Sequence, residues 1–213
     1  MIRLIIFDYD GVIVDSFVNV YKVYKIICKK LDKKFPANID EFKKIYGNSS
    51  TECYSNLSFS EEEKLKGNLI FKEEILKKEG DLFSGIKEVL EKLHRNYKLV
   101  LISSSYKVEV IQKLERFGIY DFFDYVVGKE RDSGRLEKTD TIKEVVKKFK
   151  VKEEEVLSIG DRNVDFIEGS TAGLKNILLV DYGWGYDLNE IPEYKQRVVI
   201  KKPKDILKAI EEM

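Results

Sequence analysis

Short runs of consecutive apolar residues punctuate this chain, and between them lie segments whose apolar residues recur at three- and four-residue steps. The runs are IRLIIF (2–7), KLVLIS (98–103), YVVG (125–128), EVLSIG (155–160) and NILLV (176–180). Unbroken apolar runs of this length, bounded by acids or glycine, predict strands buried on both faces. Ile86, Val89, Leu90 and Leu93 fall on one face of a helix. So do Val108, Ile111, Leu114 and Phe117, and again Ile142, Val145, Val146 and Phe149. Strands alternating with helices predict βαβ units, hence an α/β fold with a doubly wound parallel sheet covered on both faces.

One stretch breaks the rhythm. From Ser16 to about Gly80 there is no buried-strand pattern, only amphipathic helical sequence rich in Tyr, Phe and Lys. Turn signals at Gly80-Asp81 and Ser84-Gly85 close it. The expected organisation is an α/β core of residues 1–15 and 82–213, with an all-helical domain of residues 16–81 inserted after the first strand.

Composition narrows the class of partner. With 213 residues, 43% of them hydrophobic, the chain can bury one full core and a modest second unit. Lys plus Arg and Asp plus Glu both number 38, so no net field draws the protein to nucleic acid or an anionic membrane, and a small solute is the expected partner. The lysine-rich tracts at 29–34 and 147–155 mix signs with acids and read as solvated helix ends. Runs such as LVLI (99–102) and ILLV (177–180) fall far short of the roughly 20 residues a spanning helix needs. Asp8 and Asp10 stand where a secretory signal would be uncharged, so a cytoplasmic location is expected. Cys28 and Cys53 are the only cysteines and are read as reduced thiols.

In a parallel α/β sheet the ligand site lies at the carboxyl ends of the strands. The first strand ends in Asp8-Tyr9-Asp10-Gly11-Val12, two acids on one side of an extended chain. Anions that close need a cation, or one must hold a proton. Gly11 would let backbone approach a ligand. The second strand ends in Ile102-Ser103-Ser104-Ser105, where hydroxyls and amides could hold an anion or simply cap the next helix. The fourth ends in Gly160-Asp161-Arg162-Asn163-Val164-Asp165, with acids one helical turn apart. Carboxylates so spaced suit a hard cation such as magnesium. Lys138 follows the third strand through a polar loop.

Acid, hydroxyl, amine and acid at successive strand ends resemble the haloacid dehalogenase superfamily, whose four motifs correspond to DYDGV (8–12), LISSS (101–105), Lys138 and GDRNVD (160–165). The layout is most similar to the phosphoglycolate phosphatase and β-phosphoglucomutase group, helical cap included. The resemblance implies a magnesium-dependent phosphatase acting on a small phosphate monoester through an aspartyl-phosphate. Asp8 would attack phosphorus, and Asp10 would protonate the leaving oxygen and then activate water. Magnesium would be held by Asp8, the Asp10 carbonyl and Asp161, with Asp165 behind them. Ser103, Ser104 and Lys138 would hold the phosphoryl oxygens. Two positions depart from the pattern: Thr139 stands where Pro usually follows the lysine, leaving Lys129 and Arg135 as substitutes, and Ser84 stands where Pro is common.

Other chemistries fit less well. His94, the single histidine, lies near a polar helix end, which removes histidine-based hydrolases and zinc sites. GNSST (47–51) lacks the Gly-Lys-Ser/Thr ending of a nucleotide P-loop. A phosphosugar mutase would be expected to carry an arginine near residues 47–57, which is absent. A 2-haloacid dehalogenase would not need Asp10, Asp161 and Asp165, and a non-catalytic phosphate-binding protein would not need Asp8 and Asp10. Substrate choice is expected in the loops of residues 16–81, with Asn48, Ser49 and Ser50 as candidates.

Overall fold

Leu4–Phe7 forms β1, buried along its whole length and central in a five-stranded parallel sheet. The computed structural model describes every residue except 48, 49, 76, 79, 131–135 and 196–198. After β1 the chain runs through β2 (Val14–Asp15) and four helices, α1 (Phe17–Lys30), α2 (Ile39–Tyr46), α3 (Ser50–Asn56) and α4 (Glu61–Ile75), to β3 (Asp81–Leu82). Alternation then sets in: α5 (Ile86–Leu93), β4 (Lys98–Tyr106), α6 (Lys107–Phe117), β5 (Tyr125–Lys129), α7 (Lys138–Phe149), β6 (Val156–Gly160), α8 (Asn163–Thr171), β7 (Asn176–Leu179) and α9 (Asp205–Glu211). The strand order is β5-β4-β1-β6-β7. It is the doubly wound α/β arrangement that the alternation of strand and helix patterns predicts.

Strand period two divides the core into two layers. Ile5 and Phe7 of β1 pack in one cluster with Val89 and Leu90 of α5, Val110 and Leu114 of α6, and Ile206 and Ala209 of α9. Leu4 and Ile6 face the other way, among Ile142, Val145 and Val146 of α7 and Phe166 of α8. Both faces of the strand are covered, which is why its sequence carries no polar alternation. Truncating a buried Leu or Ile of these layers to Ala costs about 2–5 kcal/mol.

The register positions the site. Phe7 lies opposite Leu101 of β4 on one side and Ile159 of β6 on the other. The residues that follow each of these therefore emerge together at one edge of the sheet. β4 runs on to Tyr106, with an irregularity in its pairing to β5 between Ile102 and Tyr106. Helix α6 begins after Tyr106 with no side-chain cap, so the serines at 103–105 belong to the strand end and do not cap the helix.

The chain divides into two compact units, one of residues 1–14 and 82–213, the other of residues 15–81. The second unit is helical and packs on aromatic rings. The Tyr24 ring lies 5.2–5.8 Å from those of Phe42, Tyr46, Tyr54 and Phe71. Its α2 is capped by Asn38, whose side chain accepts the Glu41 N–H at 2.9 Å. Cys28 and Cys53 are both buried and free. Among the described residues no helix is long and apolar enough to cross a membrane.

Candidate active site

The ends of β1, β4 and β6 and the first turn of α7 bring most of the predicted residues together. Asp8, the residue after β1, is anchored by its own N–H, which donates to the Ile159 carbonyl at 2.9 Å. Its Oδ1 accepts the Tyr9 N–H at 2.7 Å, and its Oδ2 accepts from Lys138 Nζ at 2.9 Å. Lys138 opens α7 and is buried, and the same ammonium donates to Asp165 Oδ1, also at 2.9 Å. Lys129, an alternative cation by sequence, instead lies over the Tyr106 ring at 5.4 Å. Arg135, the other alternative, lies outside the described residues.

Asp161 and Asp165 come together differently from the prediction. Asp161 follows β6 and precedes α8, so the two acids do not share a helical face. Asp165 sits in the first turn of α8 and folds back over the strand end, where its Oδ2 accepts the N–H groups of Asp161 and Arg162, each at 3.1 Å. This is the capping arrangement of a helix N-terminus, in which an acid three residues in satisfies orphan donors. Asp8 and Asp10 also diverge from an extended chain. The backbone turns after Asp8, with the N–H groups of Ile13 and Val14 both donating to the Tyr9 carbonyl. Asp10 directs its Oδ2 to Ser105 Oγ at 2.9 Å.

Asp161 is fully buried and held tightly. Trp184 N–H donates to its Oδ2 at 2.5 Å, while its Oδ1 has no hydrogen-bond partner among the described residues. Two glycines make that packing possible. A side chain at Gly11, whose φ is +84°, or at Gly183 would run into the Asp161 carboxyl.

One oxygen from each of Asp8, Asp161 and Asp165 lies within 4.8 Å of the others. Among the described residues, three buried carboxylates thus face one contacting ammonium, and the imbalance appears in the direction of their pKa shifts. Burial, the largest influence, pushes the Asp8 carboxyl up to about 7 against the pull of Lys138, with Asp165 reinforcing the rise. Burial and then Asp165 raise Asp161 well above the usual carboxylate range. Asp165 moves the other way, down to about 2, because Lys138, Arg162 and its backbone donors outweigh its burial. Burial works against the Lys138 ammonium as well, but Asp165 and Asp8 overcome it and the amine is held firmly protonated. A divalent cation fits this set: it would supply the missing charge, and the orphaned, fully buried Asp161 Oδ1 is an oxygen donor of the type such an ion takes.

Ser103, the last buried residue of β4, is fully buried, and its Oγ accepts the Ser105 N–H at 3.0 Å. Ser104 is exposed. Of the specificity candidates, Ser50 is exposed at the start of α3, and Asn48 and Ser49 lie outside the described residues. His94 is exposed and lies against the Phe122 ring. Sequence reasoning did not single out Ser105, Gly183 or Trp184. Trp184 acts on Asp161 through a backbone N–H, which leaves no side-chain signature, and Gly183 acts only by leaving room for the Asp161 carboxyl, whereas Ser105 stood inside a motif already marked for its hydroxyls.

Comparison with known proteins places this geometry in a family. The family model described as haloacid dehalogenase-like hydrolase matches residues 5–179. A pyrophosphatase PpaX of Oceanobacillus iheyensis is 22% identical, covering 98% of this chain and 97% of that one. A phosphoglycolate phosphatase of Vibrio parahaemolyticus is 26% identical over 87% and 86% of the two chains. Among solved structures, a haloacid dehalogenase-like family hydrolase of Streptococcus pneumoniae superposes with a TM-score of 0.85 at 22% identity, covering 98% of each chain.

Proposed function

We propose, from the premise that this chain belongs to the haloacid dehalogenase-like hydrolase family, that it is a magnesium-dependent phosphatase that cleaves a small phosphate monoester through an aspartyl-phosphate on Asp8. The observation that carries this reading is the Lys138 ammonium shared between Asp8 and Asp165 beside an Asp161 oxygen with no hydrogen-bond partner among the described residues. A purely structural ion pair would not need the extra buried acid. The names carried by the relatives above agree with phosphoryl hydrolysis.

In the first step a carboxylate oxygen of Asp8 bonds to phosphorus as the bond to the leaving oxygen breaks. That oxygen keeps the electron pair and takes a proton from Asp10. In the second step water attacks phosphorus and gives its proton to the Asp10 carboxylate. The bond between Asp8 and phosphorus breaks, its electrons return to the carboxylate, and inorganic phosphate leaves. Ester and water become alcohol and phosphate, and both side chains return to their starting states.

Lys138 stands against Asp8 Oδ2, where its charge would meet the phosphoryl oxygens as they approach, and the buried Ser103 hydroxyl lies on the neighbouring strand β4. Magnesium held by Asp8, Asp161 and the Asp10 carbonyl would offset the charge that opposes an anionic nucleophile meeting phosphate. Asp165, whose oxygens are occupied by Lys138 and two backbone N–H groups, would orient these groups from behind.

The test is a panel of phosphate monoesters assayed with magnesium and again after chelation. Phosphate release that needs the metal supports the reading. Release unaffected by thorough chelation, or none from any ester, overturns it.

A further inference from the structure

Asp10 is the one motif acid outside the Asp8, Asp161 and Asp165 group. It sits half-buried on the turn that follows β1, where Gly11 N–H donates to the Val14 carbonyl and bridging pairs Asp10 with Val14. Its side chain is held by Ser105, whose hydroxyl donates to Oδ2 at 2.9 Å. Ser105 is in turn fixed by its own N–H, which donates to Ser103 Oγ at the buried end of β4. The parallel register that sets Phe7 opposite Leu101 carries both strands toward this contact.

We propose that Ser105 is a positioning residue for Asp10, clamping one carboxyl oxygen so that the other is aimed at the leaving oxygen of the substrate. The inference rests on the phosphatase reading above. A serine hydroxyl that donates to Oδ2 leaves the proton of the neutral acid on Oδ1. When Asp10 is ionised, Oδ2 still accepts. The contact therefore holds through both halves of the reaction, and Oδ1 is the atom that gives and regains the proton. A carboxyl free to rotate about two side-chain bonds would spend much of its time misaimed, and misplacement of a reacting group by about 1 Å can cost about a hundredfold in rate.

This role can be separated from phosphate binding and from simple structural support, because proton donation matters only when the leaving group needs it. An aryl phosphate such as p-nitrophenyl phosphate releases a stable phenolate, whereas an alkyl phosphate must be protonated as it departs. Single-turnover release of the leaving alcohol, with enzyme in excess, reads transfer to the enzyme alone. Ser105→Ala is expected to slow release from ethyl phosphate by about tenfold or more, within the range general acid catalysis supplies, while release of p-nitrophenol changes by less than about threefold. Ser105→Thr, which keeps the hydroxyl, is expected to restore the alkyl rate. Should the alanine variant misfold by circular dichroism, Ser105→Cys, nearly isosteric and a weak donor, gives the same comparison.

Equal losses on the two esters, an effect confined to substrate affinity, or no loss at all would overturn the assignment. Asp10→Asn is the control that separates the two levels of the argument. If wild-type protein is active and Asp10→Asn shows the leaving-group dependence while Ser105→Ala does not, only the positioning role fails. If Asp10→Asn shows none, the acid role of Asp10 fails and the assignment of Ser105 falls with it.

Discussion

Lys138 and Asp8 form a buried ion pair at 2.9 Å, and the same ammonium meets Asp165 at 2.9 Å. A cation so placed can follow charge as it builds on a phosphoryl group, and its loss should lower turnover more than it weakens substrate binding. Lys138→Ala is expected to cut the turnover number by at least about a hundredfold, on the scale of a lost transition-state contact. Lys129→Ala, on a side chain that stacks over Tyr106, should change it by less than about tenfold, since its charge is screened within a Debye length. Removing the ammonium also leaves buried carboxylates uncompensated, so a stability loss of about 3–5 kcal/mol should appear in urea unfolding. A normal turnover number in Lys138→Ala would mean that another cation serves the site.

The Gly11 backbone sits where a side chain would meet the Asp161 carboxyl, at a φ of +84°. Gly11→Ala should therefore displace Asp161 and strain the turn at once, at a cost of about 1–3 kcal/mol for the backbone alone. Magnesium titration followed by thermal unfolding is the measurement. The variant is expected to need at least about tenfold more metal than wild type for the same upward shift, as binding linkage requires when affinity falls. Wild-type magnesium response in this variant would show that Asp161 does not take part in holding the ion.

Much of the α/β architecture was legible because burial on both faces writes itself into β1 as unbroken Leu, Ile and Phe, and helix packing writes itself into α5 and α7 as three- and four-residue recurrence, whereas in α6 the recurrence misplaced one position, since Val108 is exposed and Val110 is buried beside Leu114. The acids Asp8, Asp10, Asp161 and Asp165 were legible as residue types at strand ends. Their geometry was not. The spacing of Asp161 and Asp165 suggested a shared helical face, but α8 begins at Asn163, and Asp165 reaches back to cap the strand end by accepting two N–H groups. Capping bonds depend on where a helix starts, and that boundary is poorly marked by apolar period. The contact of Ser105 with Asp10 joins residues far apart in sequence through strand register. The clamp of Trp184 on Asp161 uses a backbone N–H that every residue but proline possesses.

The two thiols offer a prediction independent of the chemistry. Burial pushes Cys53 up to about 12, and it pushes Cys28 up to about 11 against the pull of Lys33. At pH 8 the thiolate of Cys28 is then about one part in a thousand, and that of Cys53 is smaller still, so alkylation by iodoacetamide should be far slower in native than in urea-unfolded protein. Both folded values lie above the unfolded value of about 8.5, so the folded state holds these protons longer. The associated stability is present below about pH 8.5 and is lost as pH rises toward 11 and 12. Rapid native labelling at pH 8, followed by mass spectrometry, would contradict this burial.

Metal removal should act on structure as well as on rate. With Asp8, Asp161 and Asp165 within 4.8 Å, the metal-free protein carries carboxylates that repel one another. Adding magnesium after chelation should raise the melting temperature in a concentration-dependent way. Asp161→Asn should blunt that rise, and an undiminished rise would place the ion elsewhere.

The central claim is that phosphate becomes bonded to Asp8. Its most direct measurement is acid quenching during turnover of a radiolabelled phosphate ester, followed by borohydride reduction and peptide mapping, since reduction of an acyl phosphate marks the residue that carried it. The predicted result is label in the quenched wild-type protein, a reduced side chain at position 8, and neither in Asp8→Asn. Sustained turnover with label on another residue, or undiminished hydrolysis by Asp8→Asn after deamidation has been excluded, would contradict the covalent mechanism.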